Sequence, residues 1–128
     1  MPWPPRKGEL LPRFDEPVGI EEKLRNYTLV LDHEDGGPKA KGFRDMLGIE
    51  IAAIDYLVDQ IVTGIAVTPI SAVRPRKPDA VACTVEFRIA GIGRYSHREA
   101  WVRTGWRLDE PGARPRFSTA IPRGKRKR

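Results

Sequence analysis

At 128 residues the chain has the length of one domain and can bury a core without disulfide or metal staples. Its apolar fraction of 40% and charged fraction of 31% fit a soluble globular protein, and its one cysteine, Cys83, excludes an intrachain disulfide and a cysteine zinc site. The net charge of +6 invites a polyanionic partner, but five of the positive charges (Arg123, Lys125, Arg126, Lys127 and Arg128) lie in the last six residues, RGKRKR, so a specific site has to come from the nearly neutral body.

The chain opens with a Pro-rich stretch, residues 1–19, anchored only by Leu10, Leu11 and Phe14. It reads as a flexible arm, with room for a short strand near Leu10 to Phe14, and it lacks the apolar core of a signal peptide. From Ile20 the spacing of Ile20, Leu24, Tyr27 and Leu31 predicts a helix ending near Asp32. DHEDGG is a turn, and Pro38 suits the first position of a second helix, PKAKGFRDML, stopped by Gly48. Ile51, Ile54, Leu57, Val58, Ile61 and Val62 form an apolar stripe that predicts a third helix from Ile49 to Thr63, with Gly64 as its stop. Glu50, Asp55 and Asp59 interrupt this stretch, so it does not read as a membrane span. The expectation is a cytoplasmic protein.

After Gly64 the period changes to two. IAVTPISAVR is β-like, with Pro69 as an edge or a break. AVACTVEFRIAG alternates cleanly, placing Val81, Cys83, Val85, Phe87 and Ile89 on one face and Thr84, Glu86 and Arg88 on the other. REAWVRTGWRL does the same, with Ala100, Val102, Thr104, Trp106 and Leu108 opposed to Trp101, Arg103, Gly105 and Arg107. RFSTAIP is a final short strand. Helices followed by an antiparallel meander predict an α+β domain over residues 20–122, with the N-terminal helices packed on one face of about four strands. Residues 123–128 form a basic tail with no apolar residue to bury, and the expectation is disorder.

The polar sheet face has two readings. Cross-strand ion pairing on a solvated surface is the plain one. The other is a floor for RNA, in which Arg88, Arg103 and Arg107 hold phosphates, Trp101 stacks a base and Glu86 acts as base or orienter. In LDHEDGGPKAKGF, residues 31–43, His33 lies among acids whose spacing matches no EF-hand loop. No metal or cofactor is expected. GGPK with Lys39 and Lys41 offers an anion site at a helix start, but GxxxxGK[ST] is absent.

KLRNYTLVLDHEDGGPKAKGF, residues 23–43, resembles the opening of a small bacterial toxin-like domain family with the pattern KLxxYLLxxxHxxGxxKAxxF. Lys23, Leu24, Tyr27, His33, Gly36, Lys39, Ala40 and Phe43 stand in register. The rear pattern, roughly V…W…PRLxTxYP, is met by Val102, Trp106, Pro115, Arg116, Thr119 and Pro122. Thr28 replaces a usual leucine and Ile121 a usual aromatic. The layout is also similar to the barnase/EndoU/colicin/RelE group of metal-independent ribonucleases. The resemblance implies an endoribonuclease in which the RNA's own 2′-hydroxyl attacks the adjacent phosphate. His33 would be acid or base, Lys39 would neutralise the phosphate and Thr119 would orient it. Lys41, Arg88, Trp101, Arg103 and Arg107 would hold the RNA, and an acidic antitoxin or immunity protein would cover the arginine face. The alternative is a non-enzymatic module in which the same surface binds a partner protein or nucleic acid.

Overall fold

The computed structural model describes residues 3–124. Three helices come first: α1 (Ile20–Lys23), which passes directly into one π turn (Leu24–Thr28), then α2 (Gly37–Leu47) and α3 (Ile54–Val67), entered through a 3-10 turn at Ile51–Ala53. Four strands follow: β1 (Ala72–Arg76), β2 (Ala80–Ala90), β3 (Glu99–Leu108) and β4 (Arg116–Arg123). Each pairs antiparallel with the next in the order β1-β2-β3-β4. This is the expected α+β arrangement.

The alternation read from β2 and β3 holds in the pairing. Cys83 faces Trp106, Val85 faces Thr104 and Phe87 faces Val102, and all six are buried. The helices cover this face, joining Leu24, Phe43, Leu47, Leu57, Ile61 and Ile65 to the strand residues in one core. Thr104 is wholly buried but satisfied. Its hydroxyl donates to the Val85 carbonyl at 2.7 Å and accepts from Trp106 Nε1 at 2.9 Å. A buried polar group that makes its hydrogen bonds escapes the desolvation cost of an orphan and fixes the indole orientation.

Several boundaries differ from the sequence reading. The first helix ends at Thr28 rather than near Asp32, because it widens into a π turn in which Leu29 N–H donates to Leu24 O at 2.9 Å. The third helix runs through Gly64 to Val67, so Ile65 to Val67 are helical rather than strand-like. Gly64 is there for packing: a Cβ would lie 2.5 Å from Phe87 Cδ1, so only glycine lets that ring press against the helix. The arm is docked as well. Leu11 is buried in the core, and Trp3 and Phe14 pack against it. Gly8 N–H donates to Ile70 O at 2.9 Å, and Ile70 N–H donates to Glu9 O at 2.8 Å. Val18 bridges Arg116 in parallel fashion, and no strand forms near Leu10 to Phe14. Arg123 closes β4 and Gly124 is exposed; the rest of the basic tail, residues 125–128, lies outside the described residues. Among the described residues no helix is long and apolar enough to cross a membrane.

Candidate functional site

The open face of the sheet gathers the polar residues of β2, β3 and β4. Register sets Glu86 opposite Arg103 and Arg88 opposite Trp101. On the other side of β3, Gly105 faces Thr119 and Arg107 faces Arg116. A Cβ added to Gly105 would lie 3.1 Å from Thr119 Cγ2, which places Thr119 on this same face.

Two of the three arginines behave as the plain reading expects. Arg88 lies 3.7 Å from Glu99, and Arg107 Nε donates to Asp109 at 2.6 Å; all four side chains are well exposed. Such pairs contribute little to stability. Glu86 and Arg103 are different. The Glu86 side chain is only 8% exposed, and its Oε1 lies 3.8 Å from Arg103 Nε, close enough for charge attraction and too far for a hydrogen bond. Glu86 Oε2, Arg103 Nε and Thr119 Oγ1 are all buried, and none has a hydrogen-bond partner among the described residues. Buried polar atoms are nearly always partnered, and an exception calls for an explanation such as a catalytic role, a bound ion or an ordered water. Three of them lie on adjacent strands of one face.

Next to this cluster β1 stops pairing at Thr84, and the arm crosses beyond its end. The result is a cavity of about 420 Å³ whose walls include Glu86, Arg88, Trp101, Ser71 and Lys7. The Arg88 guanidinium lies 5.7 Å from the Trp101 ring centre, a cation–π contact that holds both side chains at the rim. Another cavity, of about 470 Å³, lies past the end of α2, but its Arg44 is already engaged by Asp45 at 2.9 Å.

His33 and Lys39 belong to a second cluster, in the helical layer. His33 Nδ1 accepts backbone N–H bonds from Asp35 at 3.1 Å and Gly36 at 3.0 Å, so its proton is on Nε2. The ring meets Tyr27 edge-on with centroids 4.5 Å apart, and the Lys23 and Lys39 ammonium groups each lie 4.9 Å from the Tyr27 centroid. A Cβ on Gly36 would run into the Tyr27 carbonyl, which explains why this turn needs glycine. Leu24, Ala40 and Phe43 are core residues. The front motif is therefore one packed unit built around Tyr27. Lys41 is exposed on α2.

The two clusters are on different sides of the sheet. α2 packs on Pro122, where a Cβ at Gly42 would lie 2.7 Å from the proline ring. Pro122 faces Val102 on the core side, whereas Thr119 points to the open side, and no hydrogen bond joins Thr119 to His33 or Lys39. The structure thus groups Thr119 with Arg88, Trp101, Arg103 and Arg107, and leaves His33, Lys39 and Lys41 elsewhere.

Residues 10–124 match the family described as "Domain of unknown function (DUF6883)". The chain belongs to that family. The match begins within the arm, earlier than the domain read from residue 20, and takes in both clusters. Of the cavity walls, Lys7 and Gly8 lie outside it. No curated protein and no solved structure matches the chain.

Alternation places Glu86 on the polar face, where the RNA reading gives it the role of base or orienter; its burial and unpartnered oxygen are what the sequence does not show. The usable signal is a glutamate flanked by Val85 and Phe87, on the face that also carries Arg88 and Arg103. Lys7 carries no signal, because the arm's docking depends on Leu11 and on backbone bonds to residue 70. Among the described residues no three His, Cys, Asp or Glu side chains group as a metal site.

Proposed function

We propose that this DUF6883 chain is a toxin-like endoribonuclease that cleaves RNA on the open face of its sheet without a metal. The observation that carries this reading is the set of Glu86 Oε2, Arg103 Nε and Thr119 Oγ1, three buried polar atoms without partners on one face, beside a cavity walled by Trp101 and Arg88. RNA supplies its own nucleophile, so the protein needs a base, cationic stabilisation and a proton for the leaving group. Glu86 takes the proton of the 2′-hydroxyl, and the 2′-oxygen forms a bond to the adjacent phosphorus. Arg103 offsets the charge that builds on the phosphorane, and Thr119 donates a hydrogen bond to a phosphate oxygen. The bond from phosphorus to the 5′-oxygen then breaks, and that oxygen takes a proton from the Lys7 ammonium or from water. The products are a 2′,3′-cyclic phosphate and a 5′-hydroxyl. Trp101 stacks a flanking base.

This reading moves the base from His33 to Glu86. A general base needs a free lone pair, and the Nδ1 lone pair of His33 is engaged by two backbone N–H groups while Nε2 carries the proton. Shifting the tautomer would cost both turn bonds. An acidic antitoxin or immunity protein fits the same face, since the arginines there would steer it and its carboxylates would occupy the phosphate positions. The test is incubation of the purified protein with total RNA in EDTA, with mapping of the ends. Cyclic phosphate ends made by the wild type and lost in Glu86→Gln support the reading. Cleavage that EDTA abolishes refutes it, and intact RNA leaves the non-enzymatic interaction module as the better account.

A further inference from the structure

The Tyr27 cluster is not used by the chemistry proposed above, yet it carries an unusual arrangement of charge. Lys23 and Lys39 bring two ammonium groups to one aromatic ring, and neither has a carboxylate partner among the described residues. The Tyr27 ring attracts each cation, but no carboxylate offsets their charge among the described residues. Beside the ring, between α1 and β4, a groove of about 340 Å³ is walled by Glu22, Lys23, Asn26, Tyr27 and Arg116. Arg116 is itself anomalous. It pairs directly across the strands with Arg107, a like-charge pairing that sheets disfavour. Arg107 is engaged by Asp109, whereas Arg116 has no such partner among the described residues.

Arg116 also connects two surfaces. It sits at the start of β4 opposite Arg107 of the open face, and it walls the groove that holds Lys23 and Tyr27. From Arg103 to Arg107 is four steps along β3, about 13 Å at about 3.3 Å per residue. A strand lying over Glu86 and Arg103 that continued along β3 would therefore reach Arg116 at the sheet's edge and could turn into the groove.

We infer that Lys23, Asn26 and Arg116 form a second phosphate-binding subsite, which holds the RNA backbone where it leaves the open face over the edge of β4. Lys23 and Arg116 bind the phosphodiester, Asn26 hydrogen-bonds it and Lys39 adds positive potential through its position on Tyr27. Glu22, the one carboxylate of the groove wall among the described residues, repels a second anion there and limits the subsite to a single phosphate. This inference rests on the open-face reading, because it takes its ligand to be the RNA bound there. Its position predicts dependence on length: a dinucleotide over Glu86 stops short of the groove, and an octanucleotide reaches it.

The experiment uses 2′-O-methyl RNA, which cannot supply the nucleophile, in lengths of two and eight nucleotides. Binding to the full chain, to Lys23→Gln and to Arg116→Gln is measured by fluorescence anisotropy across a range of salt concentrations. Each substitution is expected to weaken the octanucleotide severalfold and to reduce its log–log salt slope by about 0.7, the share of one phosphate contact on a single strand. Dinucleotide affinity stays unchanged, which also shows that the variants are folded. Dinucleotide binding with octanucleotide affinity indifferent to both substitutions overturns the subsite alone. Failure of either length to bind the wild-type protein overturns the open-face reading and the subsite with it.

Discussion

Replacing Glu86 with glutamine keeps the shape of the side chain and removes its charge, which separates chemistry from stability at one position. At 3.8 Å the attraction between Glu86 and Arg103 is about 4 kcal/mol for an effective dielectric of about 20. Against it stands the cost of holding a carboxylate that is only 8% exposed, which for a buried ion reaches several kcal/mol. The unpartnered Oε2 means that no hydrogen bond reduces that cost. Arg103 remains 36% exposed, so loss of its partner does not strand a fully buried charge. The opposing contributions nearly cancel, and Glu86→Gln should change the unfolding free energy by no more than about 1 kcal/mol in either direction. Cleavage should fall by about 10²- to 10⁴-fold, the usual contribution of a general base. Urea denaturation gives the first quantity and gel-resolved cleavage of total RNA in EDTA the second. Cleavage at the wild-type rate would remove Glu86 from the reaction. A loss of stability above about 3 kcal/mol would mean that the pair is a structural bridge and that the cancellation argued here is wrong.

His33→Ala should cost about 1–3 kcal/mol by orphaning the Asp35 and Gly36 N–H groups, while cleavage persists in the folded protein; His33→Asn, which restores an acceptor, should recover part of the loss in the same urea titration. Gly36→Ala should destabilise by more than about 2 kcal/mol, because the new methyl meets a backbone carbonyl that cannot swing away, and an unchanged melting temperature would refute that packing. Burial pushes the Cys83 thiol up to about 11, whereas an unfolded thiol titrates near about 8.5. The unfolded state therefore loses its proton first, and the stability from this group is whole below about pH 8.5 and declines as the pH rises towards 11. The same burial should block labelling by a thiol reagent until urea unfolds the chain, and rapid native labelling would contradict it. Removing residues 125–128, four basic side chains, should lower the salt slope of RNA binding by at most about 3 without moving the cleavage sites, which end mapping would reveal.

Much of the architecture is legible in the sequence because it rests on period. Alternation along AVACTVEFRIAG and REAWVRTGWRL sets the two sheet faces unaided, since a one-residue slip would bury Arg88 and expose Ile89. The apolar stripe from Ile51 to Val62 announces a helix in the same way, and the glycines of the GG turn announce a break. Those rules are local, and they fail where a distant partner decides the outcome. Gly64 reads as a helix stop because nothing in its own segment reveals that the Phe87 ring presses on it. The arm reads as loose because Leu10, Leu11 and Phe14 show no helical or strand period, and the burial of Leu11 depends on the core formed by residues much later in the chain.

The candidate site divides along the same line. Pattern alone puts Arg88, Trp101, Arg103 and Arg107 on one face, because strand geometry leaves no alternative, and puts His33, Gly36 and Lys39 in one turn and helix start. Which of these sets Thr119 joins follows from the folded sheet, because it depends on the register of β4 against β3, including the irregularity between Gly105 and Trp106. The fold also decides the two roles that matter most for function. Glu86 is buried with an unpartnered oxygen beside a cavity whose other walls come from the arm and the segment before β1, far from it in the chain. The Nδ1 of His33 is taken by the backbone of its own turn, a matter of local geometry that composition does not encode. Period fixes direction, because it repeats along one segment; burial and hydrogen-bond partners belong to the whole fold, because they come from whichever segments happen to meet.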